Sequence, residues 1–125
     1  MTKKIYKYEL PTSEVTLQFP ADARLLRVGQ NPAEQMMPCL WVELDVDLPA
    51  TETHIFKTYG TGHELGEPEE ERHYVGTAVC GPFAWHVFEV PTPEALAGER
   101  EYRAAIEASM VANAAAAEAV VPNAE

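Results

Sequence analysis

Cations are what this sequence has least of: nine Lys and Arg stand against twenty Asp and Glu, a formal net charge of −11. Such a balance excludes general binding to a phosphate backbone, which needs a basic face. Cysteine is scarce as well. Cys39 and Cys80 form no Cys-x-x-Cys pair and no disulfide framework, so both read as reduced thiols buried in strands. No apolar run reaches the 18 or so residues of a membrane span. Met1-Thr2-Lys3-Lys4 leads into Ile5-Tyr6-Lys7-Tyr8 rather than into a signal-peptide core, which gives a cytoplasmic reading.

Catalytic patterns are missing too. Ser13 and Ser109 are the only serines, and neither sits in a nucleophile motif. The histidines, His54, His63, His73 and His86, lie nine to thirteen residues apart, which is no zinc-ligand spacing. The carboxylates crowding one loop, Glu64, Glu67, Glu69, Glu70 and Glu71, read as a solvated face. The expectation is a protein that is not an enzyme, with no cofactor and no metal.

What is present is period-two alternation broken by Pro and Gly. At 125 residues the chain is expected to hold one domain. Lys4–Leu10, Val15–Phe19, Arg24–Gly29, Leu40–Val46, His54–Tyr59, Tyr74–Cys80 and Ala84–Val90 read as seven short strands. In the third, strict alternation puts Arg24, Leu26 and Val28 on one face and Leu25 and Arg27 on the other. In the fourth, Leu40, Val42 and Leu44 face the core, with Trp41, Glu43 and Asp45 opposite. The last two strands form a hairpin around Gly81-Pro82. Seven short strands with such turns point to a small antiparallel Greek-key sandwich or barrel, mainly β within an α+β chain.

The pattern changes after residue 91. Thr92-Pro93-Glu94 is a helix start, with a capping hydroxyl, Pro at the first helical position and an acid in the first turn. One alanine-rich helix is expected over 92–121, with a soft spot at Gly98 where it can kink, followed by a tail at 122–125. The boundaries are therefore a β domain at 1–91 and a C-terminal helix that packs on the sheet, on a neighbouring subunit, or on both. The small-residue surface of that helix points to a homo-oligomer.

In so acidic a chain, cations with no obvious partner are the candidate ligand contacts. Arg100 and Arg103 share a helix face. Glu99 and Glu107 flank Arg103 as an ion-pair ladder would, whereas Arg100 has no acid at i±3 or i±4. Arg27 and Arg24 are further candidates on an early strand, against the plain reading that edge-strand arginines keep a sheet soluble. Phe83, at the Gly-Pro turn, either stacks on a nucleobase or plugs the end of the sandwich. Tyr59-Gly60-Thr61-Gly62-His63 is read as a tight turn rather than an anion nest, with His63 able to hydrogen-bond a ligand.

Several short strings, Ile5-Tyr6-Lys7-Tyr8-Glu9-Leu10, Cys39-Leu40-Trp41, Tyr59-Gly60-Thr61-Gly62-His63, Tyr74-Val75-Gly76-Thr77 and Trp85-His86-Val87-Phe88-Glu89, run in this order. Together they resemble a family of small phage and prophage proteins over residues 4–89. The layout is also similar to phage anti-Thoeris sponge proteins, small Greek-key domains with C-terminal helices that form homo-oligomers. That similarity implies sequestration, without cleavage, of a small nucleotide signal such as a cyclic ADP-ribose isomer in the host cytoplasm. Arg27, Arg100 and Arg103 would hold phosphates, with Arg24 a lesser candidate, while Phe83 would stack on the base and His63 close the site. No nucleic acid and no membrane enter this reading. The alternative is an acidic protein whose 64–71 loop, with Asp45 and Asp47, covers a basic host protein.

Overall fold

The computed structural model describes residues 1–120, with side chains described for residues 1–110. Seven strands form in order: β1 (Lys3–Glu9), β2 (Glu14–Phe19), β3 (Arg24–Gln30), β4 (Pro38–Asp45), β5 (Glu52–Gly60), β6 (His73–Cys80) and β7 (Phe83–Val90). They pair antiparallel in two sheets, β1-β4-β3 and β2-β5-β7-β6. The chain crosses between the sheets after β1, β2 and β4, a Greek-key-type sandwich; neither sheet closes into a barrel.

Alternation built these faces. Leu40, Val42 and Leu44 of β4 turn inward against Phe19, Phe56, Val87, Ala78 and Cys80 of the other sheet. Phe19 and Phe56 are fully buried, and Tyr8 meets Phe19 edge to face at 5.1 Å. The ring of His54 lies 5.0 Å from that of Phe19, and its Nδ1–H donates to Glu89 Oε2 at 2.6 Å. Both cysteines are free and buried, and burial pushes both thiols above their ordinary range. In the β6–β7 hairpin Gly81 has φ +60°, while Pro82 is held at negative φ by its ring. A turn with glycine at the first central position and negative φ at the second is the II′ type, whose twist suits a two-residue hairpin.

Strict alternation fails at one place, and a prediction fails with it. The β3 register shifts between Leu25 and Arg27, a β-bulge that leaves Leu26 opposite no residue of β4. Arg24 pairs with Glu43 and Arg27 with Trp41, two residues apart on one face of β4. The two arginines therefore share the outer face of the three-stranded sheet instead of lying on opposite faces. Leu25 and Val28 point inward, and Leu26 is 40% exposed.

The N-terminal strand is tied down by a carboxylate. Asp45 is buried, and its Oδ1 accepts from Thr2 N at 3.1 Å and from Asp47 N at 3.0 Å. The bond from Thr2, then that from Asp47, holds its carboxyl below the ordinary value of 3.8. A depressed folded-state pKa contributes stability that is present above the unfolded value and is lost as pH falls through the folded one. In urea titrations, the wild-type midpoint should drop below about pH 4 more steeply than that of Asp45→Asn. Parallel acid limbs would show that the Thr2 tether carries no titratable stability.

A second compact unit begins at Pro93. There α1 (Pro93–Val120) starts at the expected proline with Glu94 in its first turn, and it runs through Gly98 without interruption. Tyr102, Ile106 and Met110 recur on one face of it and are exposed. The expected helix end at Val121 and the tail at 122–125 lie outside the described residues, as do the side chains of residues 111–120.

Candidate functional site

The bulge gathers cations. On the outer face of the three-stranded sheet, β1 contributes Lys3 and Lys7, β3 contributes Arg24 and Arg27, and β4 runs between them with Trp41, Glu43 and Asp45. Four of the nine Lys and Arg in an acidic chain thus sit on one sheet face. Trp41 is opposite Lys7 on one side and Arg27 on the other. Gly29 makes this arrangement possible by close approach. A Cβ there would lie 3.2 Å from Trp41 Cζ3 and 3.4 Å from Arg27 Nε, so both side chains pack over the bare backbone of Gly29.

The cations differ in how they are held. Lys3 is ion-paired with Asp22, which raises its pKa. Lys7 Nζ donates to Asn31 Oδ1 at 2.8 Å. Among the described residues neither Arg24 nor Arg27 has a carboxylate within 4.0 Å, although Arg24 faces Glu43 across the strand pair. Both side chains are exposed.

Asn31 organises this end of the face. It is fully buried, accepts from Lys7 Nζ and from Ala33 N at 3.0 Å, and donates through Nδ2 to Glu9 Oε2 at 2.7 Å. A satisfied buried amide of this kind fixes its neighbours. Here it sets the ammonium of Lys7, which lies across β4 from Arg27.

Beside Arg27 lies a notch at the seam between the sheets. A second β-bulge, between Tyr74 and Gly76 of β6, is met there by the bulge of β3. The two irregular segments, with Glu89, line a cavity of about 240 Å³ that includes Leu26, Arg27, His73 and Tyr74. Tyr74 is 62% exposed and meets Phe88 edge to face at 5.7 Å. Bulges re-aim side chains next to sites. This pair brings a guanidinium, an imidazole and a phenol ring to one recess.

Two other candidates within the β domain, His63 and Phe83, stand elsewhere on it. His63 closes the expected turn: its N donates to Gly60 O at 3.1 Å, and its Nδ1 accepts from Gly60 N at 3.2 Å. That bond uses an amide an anion nest would need, and it leaves Nε2 as the protonated nitrogen of the neutral ring. His63 borders a separate recess with Lys57, Tyr59 and Glu64. Phe83 stacks on Trp85 at 5.6 Å and is 48% exposed, at the end of the sandwich where the β6–β7 turn lies. On α1, Arg103 donates to Glu99 at 2.7 Å, the ion pair of the plain reading, and Arg100 is engaged as well.

The 64–71 loop is not uniformly solvated. Glu67 takes an ion pair from Lys57 and a hydrogen bond from Tyr59 OH at 2.6 Å, while Arg72 donates to its carbonyl at 2.6 Å. Burial pushes its carboxyl up, but the bonds from Lys57 and Tyr59 more than offset this and leave it below the ordinary value. His86 adds a further clasp, its ring nitrogens 2.8 Å from Thr61 Oγ1 and 3.0 Å from Thr77 Oγ1. Glu64, Glu69 and Glu70 remain exposed. Among the described residues no three His, Cys, Asp or Glu side chains come together as a metal site requires, and no helix is long and apolar enough to cross a membrane.

Sequence reasoning missed Lys7, Asn31 and Trp41. A signal for Trp41 was available: a tryptophan on the face of β4 opposite Leu40, Val42 and Leu44 needs a reason to be there. Residues 1–98 match the family model described as a domain of unknown function, DUF7352, and the chain belongs to that family. No curated protein and no solved structure matches it.

Proposed function

We propose that this DUF7352 member binds a small anionic ligand with a planar ring, of the nucleotide class, on the outer face of its three-stranded sheet, and sequesters it without chemistry. The observation that carries this reading is the uncompensated guanidinium of Arg27 beside Trp41, flanked by Lys7 and Arg24, in a chain of net charge −11. Arginine presents its donors as a planar fork suited to phosphate, and an indole offers a stacking surface to a base. The seam notch with His73 and Tyr74 is large enough for a phosphate or a ribose fragment. A cyclic ADP-ribose isomer supplies both parts in one molecule, and sequestration then works by mass action on the free signal. Self-association through Tyr102, Ile106 and Met110 of α1 belongs to the same reading, with the phage origin that the sequence resemblance implies.

Calorimetric titration with cyclic nucleotides and ADP-ribose cyclisation products tests it. Arg27→Ala should weaken binding about ten- to a hundredfold, the loss of a charge-assisted hydrogen bond. Trp41→Ala should cost a similar factor through lost stacking. The bound compound should be recovered intact after heat denaturation. Reversing Glu64, Glu69 and Glu70 to Lys should leave affinity within about twofold. If that reversal abolishes activity while Arg27→Ala does not, the acidic loop is the functional surface and a basic protein is the partner.

A further inference from the structure

A second cavity lies at the end of the sandwich, lined by none of the cations of the sheet face. It encloses about 440 Å³ between the β1–β2 loop, the β3–β4 loop and the start of β7, a volume within the usual range for small-molecule sites. Met36, Met37 and Trp85 make its apolar wall, Ser13 and Thr58 add hydroxyls, and Glu34 is the one charged side chain among its lining residues. No lysine or arginine lines it, so the anionic ligand of the sheet face has nothing to hold it here.

The walls of this cavity are fixed before any ligand arrives. Trp85 Nε1–H donates to Met36 O at 3.3 Å, which pins the indole against the β3–β4 loop. That loop is tied across itself by Asn31 N to Met37 O at 2.9 Å and by Met37 N to Glu34 O at 3.0 Å. Phe83 stacks on Trp85 and extends the aromatic surface outward. Glu34 Oε1 accepts from Met36 N at 3.2 Å, and its second oxygen takes no protein hydrogen bond among the described residues. The hydroxyls of Ser13 and Thr58 likewise have no protein partner among the described residues.

We infer that this cavity is a second binding site, selective for a small ammonium ion with an apolar body. Aromatic faces and thioethers accept an alkyl or aryl body and attract a cation. A single carboxylate, with hydroxyls that can accept an N–H, then selects a positive head over a neutral or negative one. The net charge of −11 favours arrival of cations at such a mouth.

Three compounds sharing one body test the charge selection: 2-phenylethylamine, 2-phenylethanol and 3-phenylpropanoate. The indole N–H resonance of Trp85, followed by NMR, reports occupancy, and that of Trp41 reports the sheet face independently. The amine should bind tightest, the alcohol more weakly and the carboxylate weakest, each moving the Trp85 signal and not that of Trp41. Glu34→Gln should bring the amine to within about twofold of the alcohol, a loss of two- to fivefold for a partly exposed pair. Met36→Ala, at an exposed loop residue, should weaken all three compounds while the spectrum stays dispersed. An unmoved Trp85 signal at millimolar amine, or equal affinity for all three compounds in wild type, overturns the proposal. So does an amine affinity that Glu34→Gln leaves unchanged. None of these results bears on nucleotide binding at Trp41, so the two readings fail separately.

Discussion

Truncation of Phe56 to alanine should cost about 3–5 kcal/mol of folding stability, the range for deleting a fully buried aromatic ring. Phe56 has no exposed surface, lies 6.2 Å from the ring of Phe19, and stacks near His54 at 6.3 Å. It sits in the middle of β5, between β2 and β7, so strand pairing on both sides resists collapse of the void. Native domains hold only about 5–15 kcal/mol in total, so this one change removes a large part of the margin. Urea unfolding should show a lower midpoint with an unchanged slope. A loss under about 1 kcal/mol would mean that Phe56 is not held in a rigid core.

Asn31→Ala should cost about 2–3 kcal/mol, because it removes hydrogen bonds to two charged groups and one backbone amide. The variant does more than destabilise. Lys7 loses the acceptor that fixes its ammonium beside Trp41, so ligand affinity on the sheet face should fall with stability. Measuring both in the folded variant separates the effects. Unchanged stability would contradict the role of Asn31 as the buried hub of that loop. Unchanged affinity would show that Lys7 does not need to be held.

The two predictions differ in how far the sequence announces them. The strand that carries Phe56 is legible, since the strands read from the sequence match those observed to within about two residues, whereas adjacent Ile55 and Phe56 leave its inward face to the structure. The helix start is equally plain, because Thr92-Pro93-Glu94 signals locally. Asn31 is not legible, since nothing in a polar loop distinguishes a buried amide from a solvated one until its partners, Lys7 and Glu9, arrive from another strand. Nor is the cation face. Lys7, Arg27 and Trp41 come from three strands, and the phase of β3 is ambiguous in Arg24-Leu25-Leu26-Arg27-Val28. Either leucine can face inward, and only pairing with β4 chooses Leu25.

The seam notch was illegible for a related reason, since a bulge is a relation between two strands and a single strand's pattern does not encode it. Arg24 and Arg27 were legible as candidates by type, because unpaired arginine is rare in this chain. Their shared face was not.

Taken as a counting problem, β3 is a regular strand with one letter inserted. Remove Leu26 and the remaining order, Arg24-Leu25-Arg27-Val28-Gly29, alternates out and in without a fault, matching the pairing with β4. Position 26 therefore belongs to neither face, and its side chain is tied to neither the core nor the cation row. That makes it a handle. Both native thiols, Cys39 and Cys80, are fully buried, so a cysteine at position 26 would be the one reactive sulfur among the described residues. A spin or fluorescent label attached there would stand at the rim of the seam notch that Leu26 lines, next to Arg27, and report on its occupancy, while the core side chains and the cations keep their identities.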